Sequence, residues 1–263
     1  MKQKKDPVLL VRKNQEIVHL TLNRPLVLNA LNAELLHALQ EALNKIKNTP
    51  SVKGFFIAGA GEKAFSAGAD IAFLNTASPL QIRELAELAV SVTGQIENLG
   101  KPSIALINGF ALGGGLELAE SCMLRVAVSS AKMGHPEVRI GAVSGWGGST
   151  RLPRLIGKGR AAELLLTGKM ISAGEALDMG LVNAVVENAE LEKAGEKLMR
   201  EIIDNAPVAV RFTWEALHRG MNMTSEESAR LGADYFGLAA STEDFREGTK
   251  AFLKKRKPSF KGK

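Results

Sequence analysis

The stretch Asn108-Gly109-Phe110-Ala111-Leu112-Gly113-Gly114-Gly115-Leu116-Glu117 decides how this chain is read. Leu112, Leu116, Ala119 and Met123 recur at helical spacing, so the glycines open a helix and Glu117 sits in its early turns. A glycine inside a helix costs roughly 0.8–1 kcal/mol relative to alanine. Three in a row become intelligible where something must come close to the backbone. Uncovered N–H groups and the helix dipole at that end favour an oxyanion. Taken alone, the triplet fits a glycine-rich turn and cap better than an oxyanion site.

Two further stretches give it context. On the N-terminal side, Phe65-Ser66-Ala67-Gly68-Ala69-Asp70 repeats the pattern: small residues after a buried strand, then an acid that can tie the loop down as a cap or turn former. On the C-terminal side, twenty residues beyond Glu117, Gly134-His135-Pro136-Glu137 presents a second acid, with Pro136 pinning the backbone before it. Two such loops can converge on one developing negative charge. Two glutamates beside it can move protons. This reads as thioester chemistry through an enolate, with one carboxylate activating water and one carboxylic acid delivering a proton. Two carboxyl groups around one water cannot both ionise freely, so they titrate as a pair. Glu120, three positions beyond Glu117, is assigned no role and is expected on a solvated face. His135 can tune Glu137 electrostatically or be structural, while His19, His37 and His218 have no functional context.

Around these motifs the chain reads as α/β. Val18, Leu20 and Leu22 alternate with His19 and Thr21 as in a half-buried strand. A helix follows, capped by Asn32, with Glu34 in its first turn and Leu35, Leu39, Leu43 and Ile46 along one face. Phe55 to Ala58, Ser103 to Ile107 and Leu124 to Val128 read as buried strands, and residues 80–98 as a helix. Beyond residue 148 strand signals nearly vanish, and 158–167, 172–179, 190–204, 207–219 and 225–256 read as helices. The expected organisation is an α/β core over residues 1–195 and a helical region over 196–263 within the same domain.

Composition is that of an ordinary globular protein: 45% apolar and 24% charged over 263 residues, ample for a real core. No apolar run approaches the ~18–20 residues of a membrane span. The start, Met1 to Pro7, lacks the apolar stretch of a secretory leader, and a cytoplasmic location is expected. Cys122 is the one cysteine; it is expected to be a small buried residue and suits a reducing compartment. The net charge of +6 comes from the end of the chain: residues 250–263 hold seven basic side chains and no acid, and without them 27 basic face 28 acidic residues. A nucleic-acid-binding domain more often spreads its basic face. A local cluster suits the phosphates of a nucleotide-like carrier, or a solvated tail. The phosphate loop, the dinucleotide glycine motif and the zinc-protease helix are all missing, and Ala142 stands where a nucleophile elbow needs glycine. No Cys/His cluster offers a structural metal site.

Together these residues resemble the crotonase superfamily, and within it the enoyl-CoA hydratase group. The likeness runs from about residue 16 to the C-terminus. It includes Asn23-Arg24-Pro25 with Asn29-Ala30-Leu31, the loop 65–71, the segment 108–119, and Pro136-Glu137 through Arg151-Leu152. It continues with Leu165 to Gly168, Ala176 to Val182, and Lys255-Arg256-Lys257-Pro258. The resemblance implies a spiral of ββα units with a helical trimerisation region, assembled as a homotrimer or homohexamer. It implies that the Ala67 and Gly114 amides form an oxyanion hole for an acyl-CoA thioester. Glu117 would activate water, Glu137 would exchange the proton at C2, and the Gly145 amide would seat the water. The loop of Gly68, Ala69 and Asp70 would pass the CoA, and the basic C-terminal residues would face its phosphates. No metal or redox cofactor is implied, coenzyme A being part of the substrate, and fatty-acid β-oxidation is the expected setting.

The chain departs from that group at four places. Trp146 stands where a small residue is usual, Ser144 where proline is common, Ala72 where lysine is frequent, and His135 where glutamine is common. Trp146, beside Gly145, either lines the acyl pocket or packs at a helix start. These departures bear on the acyl group more than on the reaction. An isomerase, a cyclic dienoyl-CoA hydratase and an acyl-CoA hydrolase share the scaffold, though isomerases commonly lack the first acid. A reading from another class is an RNA-binding protein that uses the basic tail.

Overall fold

Ile17 and His19 are buried along with Val18, Leu20 and Leu22, so the strand expected to be half-wet lies inside a sheet. The computed structural model describes residues 6–263; Met1 to Lys5, most of the start read above against a secretory leader, lie outside the described residues. The chain divides into two units, one running up to Leu99 with Ser103–Glu196, the other comprising Gly100–Pro102 with Lys197–Lys263.

Among the described residues the first unit holds ten strands: β1 (Leu9–Asn14), β2 (Ile17–Leu22), β3 (Gly54–Gly59), β4 (Ala64–Ser66), β5 (Ser103–Ile107), β6 (Phe110–Leu112), β7 (Leu124–Val128), β8 (Lys132–Gly134), β9 (Met170–Ser172) and β10 (Ala184–Val186). Its helices are α1 (Ala33–Lys47), α2 (Ile71–Leu74), α3 (Pro79–Glu97), α4 (Gly114–Glu120), α5 (Gly148–Ile156), α6 (Lys158–Thr167) and α7 (Ala173–Met179). Helix α8 (Leu191–Ile203) runs from this unit into the second. A six-stranded sheet has the order β1-β2-β3-β5-β7-β10 and is parallel from β2 onward. A four-stranded sheet has the order β4-β6-β8-β9. Three successive passes through the large sheet are each followed by a short strand of the small one: β3 by β4, β5 by β6, β7 by β8. This is the expected ββα repeat.

The small sheet positions everything that matters chemically. Strands β4, β6 and β8 run parallel, with Ser66 beside Ala111 and Leu112 beside Gly134. Their carboxyl ends therefore lie together, and the loops beginning at Ala67, Gly113 and His135 leave from one edge. Ligands of parallel sheets bind at such ends. The turn feeding this sheet is fixed by two buried amides: Asn29 donates to the Ala60 and Ala64 carbonyls, and Asn108 to those of Gly59 and Gly61.

Several local expectations hold. Asn32 caps α1 by accepting from the Leu35 amide, and Leu35, Leu39, Leu43 and Ile46 are buried. Cys122 is buried and free. Others are corrected. The span 225–256 is two helices, α10 (Ser225–Ala240) and α11 (Glu243–Leu253), because Thr242 caps a new start by accepting from the Phe245 amide. Beyond residue 148 two strands remain, β9 and β10, each three residues long, too short to show a period-two pattern.

In the second unit, α9 (Pro207–Gly220) and α10 form a helical pair, with Phe212 stacked on Tyr235. The basic tail is tied down by two acids. Buried Asp244 accepts from the Lys261 and Gly262 amides at 2.7 Å each. Glu247 takes both arms of Arg256 and the Ser259 amide. The Arg256 hydrogen bonds draw the Glu247 carboxyl down to about 2. Arg256 is thus committed within the tail, while Lys254, Lys255 and Lys257 are exposed. Among the described residues no helix is long and apolar enough to cross a membrane.

Candidate active site

Backbone geometry at the mouth of the small sheet is unusual in two places. Gly68 has φ +97°, and a side chain there would press on the Leu112 carbonyl and approach the Gly114 nitrogen at 3.3 Å. Gly113 has φ +49°, and a Cβ there would lie 3.1 Å from Glu137 Oε1. Only glycine meets both demands, a left-handed turn and close approach. Gly114, Gly68 and the Glu137 carboxylate therefore share one small volume.

Amide accounting within this volume corrects one assignment. The Ala67 N–H donates to the Leu28 carbonyl at 2.9 Å, so it is committed to the fold and unavailable to a ligand. The bridge between Leu31 and Ala69 uses the Gly68 carbonyl and the Asp70 amide. In a parallel bridge the bridged residue's own N–H points the other way. Among the described residues, the Ala69 N–H has no hydrogen-bond partner, and neither has the Gly114 N–H at the start of α4. The pair of open amides is Ala69 with Gly114. Sequence reasoning placed the donor two residues early because Ala67 and Ala69 flank the same glycine and share a residue type.

Asp70 ties the loop down as expected, through a partner the sequence did not specify. Arg24 reaches Asp70 Oδ2 at 3.0 Å and the Ala30 carbonyl at 2.5 Å, joining the loop to the segment before α1. The Gly145 backbone is exposed and open. Trp146 is buried with its ring over Gly114, close enough that a Cβ on Gly114 would sit 2.5 Å from two ring carbons. Arg151 secures it by donating to the Trp146 carbonyl while forking onto Glu97 at 2.8 and 2.9 Å.

The carboxylates differ sharply. Glu117 is 1% exposed, and its Oε1 accepts from Gly148 N at 2.7 Å, Trp146 N at 2.8 Å and Ser144 Oγ at 2.8 Å. Its Oε2 takes none of these bonds. Burial pushes its pKa up, and the three hydrogen bonds with the nearby His135 charge pull part of the way back. A carboxylate with raised proton affinity, held by one oxygen, is suited to act as a base through the other. Glu137 opens the 3₁₀ turn Glu137–Ile140, and both its oxygens are buried without a hydrogen-bond partner. An unpartnered buried carboxylate requires an explanation, and a reacting partner is one.

Glu120 was expected on a solvated face and is instead buried, because every residue of α4 is buried. The signal lay in the sequence: Gly115, Leu116, Leu118, Ala119 and Cys122 leave little of that helix polar, and a helix apolar on most sides belongs in the core. Its Oε1 meets His135 Nε2 at 2.9 Å, with neither side chain exposed. His135 Nδ1 faces Ser144 Oγ at 3.2 Å and Glu137 Oε1 at 3.6 Å. Burial opposes a charge on this imidazole, but Glu120 and Glu137 outweigh it and hold its pKa up at about 10. Ser144 and Glu120 are neighbours of these groups to which the sequence reading gave no place in the site.

Away from this site, His19, Glu192 and Glu196 bring possible ligand atoms within 4.8 Å of one another. Arg12 already bonds Glu192 there and approaches His19 Nδ1 at 3.4 Å, so a cation is built into the cluster.

A model of the family described as enoyl-CoA hydratase/isomerase matches residues 12–263. The chain is 43% identical over 252 residues to crotonyl-CoA hydratase of Syntrophomonas wolfei, covering 96% of this chain and 97% of that protein. It is 41% identical over 249 residues to short-chain-enoyl-CoA hydratase of Clostridium acetobutylicum, covering 95% of each. The crystal structure of enoyl-CoA hydratase from Bacillus anthracis superposes with a TM-score of 0.94 at 38% identity, covering 97% of this chain and all of that one. With its ββα spiral and its paired loops, this chain belongs to the enoyl-CoA hydratase/isomerase family.

Proposed function

We propose that the protein adds water reversibly to a 2-enoyl-CoA thioester, giving the 3-hydroxyacyl-CoA, with the thioester oxygen between the Ala69 and Gly114 amides. The observation that carries this reading is the contrast between the two acids: Glu117 held by Oε1 with Oε2 left open, and Glu137 unpartnered against Gly113. Glu117 takes a proton from water as its oxygen bonds to C3. The thioester oxygen gains charge in that step, and two fixed amides stabilise it more in the transition state than in the ground state. Glu137 delivers the proton to C2. The Gly145 amide helps to seat the water, and the Trp146 ring over Gly114 borders the acyl chain. Gly68 and Asp70 shape the passage for CoA.

Relatives named for crotonyl-CoA and short-chain enoyl-CoA support a short acyl group, and a place in fatty-acid β-oxidation is part of the same proposal. A homotrimer or homohexamer is supported by exposed apolar residues in the second unit, Leu217, Phe236, Leu238, Phe252 and Leu253. The lone free cysteine suits a cytoplasmic location. No cofactor is assigned, since every step is a proton transfer or an addition that this residue set can perform. The test is the loss of conjugated enoyl-thioester absorbance with crotonyl-CoA and longer or cyclic enoyl-CoAs. Turnover of crotonyl-CoA is expected, and inertness toward all of them would overturn the reading.

A further inference from the structure

Glu117 has to be ionised to take a proton from water, and its burial opposes that. Two backbone amides and the Ser144 hydroxyl all act on its Oε1. The hydroxyl differs from the amides in having a charged group behind it. Ser144 Oγ lies 3.2 Å from His135 Nδ1, and His135 Nε2 lies 2.9 Å from Glu120 Oε1, with neither the imidazole nor Glu120 exposed. Gly148 closes the cluster. A Cβ there would come within 2.7 Å of His135 Cε1 and 3.0 Å of Glu117 Cγ, so no side chain fits between the ring and the acid.

From this arrangement we infer that His135, as a buried imidazolium paired with Glu120, acts through Ser144 to keep Glu117 ionised with Oε2 free for water. The role given to Glu117 rests on the hydration reading above.

Hydrogen-bond accounting fixes the charge on the ring. A carboxylate oxygen can only accept, so the single hydroxyl proton of Ser144 is directed to Glu117 Oε1. The Ser144 oxygen is then left to accept, which makes His135 Nδ1 a donor. On the far side of the ring, Glu120 and Glu137 together hold the imidazole pKa up at about 10, so Nε2 keeps its proton and donates it to Glu120. Both ring nitrogens are protonated. Glu137 Oε1 stands 3.6 Å from Nδ1, beyond hydrogen-bond range, and acts on the ring as a charge alone. Arg151 from α5 acts on both Glu117 and Glu120, and Arg125 from β7 acts on Glu120. No proton moves along this path. The groups keep their protons through turnover and supply a field and an orientation, so Ser144 and His135 are positioning residues.

The sign of the effect follows. Removing the hydroxyl or the cation withdraws support from the charged form of Glu117 alone. Its carboxyl then binds a proton more tightly, and the acid limb of kcat/KM moves to higher pH. Wild type, Ser144→Ala, Ser144→Thr and the double variant His135→Gln with Glu120→Gln are assayed with crotonyl-CoA from about pH 5 to 9. The double variant removes the cation together with its counter-ion and so strands no buried charge. Thermal melts check that each variant is folded. Infrared difference titration follows the Glu117 carboxyl directly, its band assigned by its loss in Glu117→Gln.

In Ser144→Ala and in the double variant, the acid limb and the infrared midpoint should both rise by about one pH unit. That shift lowers kcat/KM about tenfold on the acid side and lets it approach wild type above the limb. Ser144→Thr, which keeps the hydroxyl, should keep the wild-type limb. If folded Ser144→Ala titrates Glu117 where wild type does, or loses rate equally at every pH, the inference is wrong. Inactive wild type would instead remove the hydration reading, and the infrared midpoints would still decide whether His135 and Ser144 hold Glu117 ionised.

Discussion

Glutamine at position 117 separates chemistry from architecture. The Glu117 Oε1 accepts three hydrogen bonds, at 2.7, 2.8 and 2.8 Å, and a glutamine carbonyl in the same place accepts all three. Its NH2 group takes the position of Oε2, the oxygen not used by the scaffold. Burial already disfavours the charged form of this carboxyl, and a neutral amide avoids that cost. The expected change in unfolding free energy is within about 1 kcal/mol, the worth of one net hydrogen bond. Turnover behaves differently: loss of a general base removes about 10²–10⁴ in rate, or ~3–5 kcal/mol of barrier. Glu117→Ala makes the opposite demand. It strands the Trp146 and Gly148 amides and the Ser144 hydroxyl, each costing ~1–3 kcal/mol if left unpaired and buried. The two variants should be equally slow on crotonyl-CoA, while denaturant unfolding leaves the glutamine form near wild type and the alanine form destabilised by at least ~2 kcal/mol. A glutamine variant with wild-type kcat would refute the base assignment. A glutamine variant as unstable as alanine would refute the account of what Oε1 holds.

The buried His135–Glu120 pair gives stability a pH slope of definite sign. His135 is raised from 6.5 to about 10 on folding, so its contribution is full below about 6.5 and is lost as pH climbs to about 10. Denaturant midpoints stepped across that range should fall for wild type and run flatter for His135→Gln; parallel slopes would refute the pairing. At Gly114, an alanine Cβ would meet two Trp146 ring carbons at 2.5 Å, so Gly114→Ala should cost ~1–3 kcal/mol of stability through overpacking. It should also slow hydration, and a variant matching wild type in melting and rate would show that the ring does not press on that backbone.

How much of this was legible beforehand differs by feature. The helix at α1 could be read because its cap, first-turn acid and apolar face all agree, and Asn32 does bond the Leu35 amide. Strand β9 could not, because three residues carry no period and its pairing with β8 is set by distant chain. The two motifs that open the site were visible as runs of small residues, but which amide faces outward was not. That depends on a bridge between Leu31 and Ala69, a contact spanning 38 positions that local pattern does not encode. Glu117 and Glu137 could be named from spacing. Their unlike surroundings could not, because Ser144, Trp146 and Gly148 reach Glu117 from far along the chain.

Two departures from the family pattern, His135 and Ser144, and the acid first assigned no role, Glu120, have a single physical explanation. A carboxylate buried as deeply as Glu120 needs a partner, since removing one member of a buried ion pair costs about 3–5 kcal/mol. Glutamine at 135 would offer one donor but no charge; histidine offers both. Once charged, the ring carries a second N–H that also needs an acceptor inside the protein. A proline side chain at 144 has no acceptor, whereas serine supplies one and sends its own proton on to Glu117. Each residue thus creates the requirement that the next one meets, and the sequence of requirements starts at a core acid, Glu120, and ends on Glu117, the proposed base.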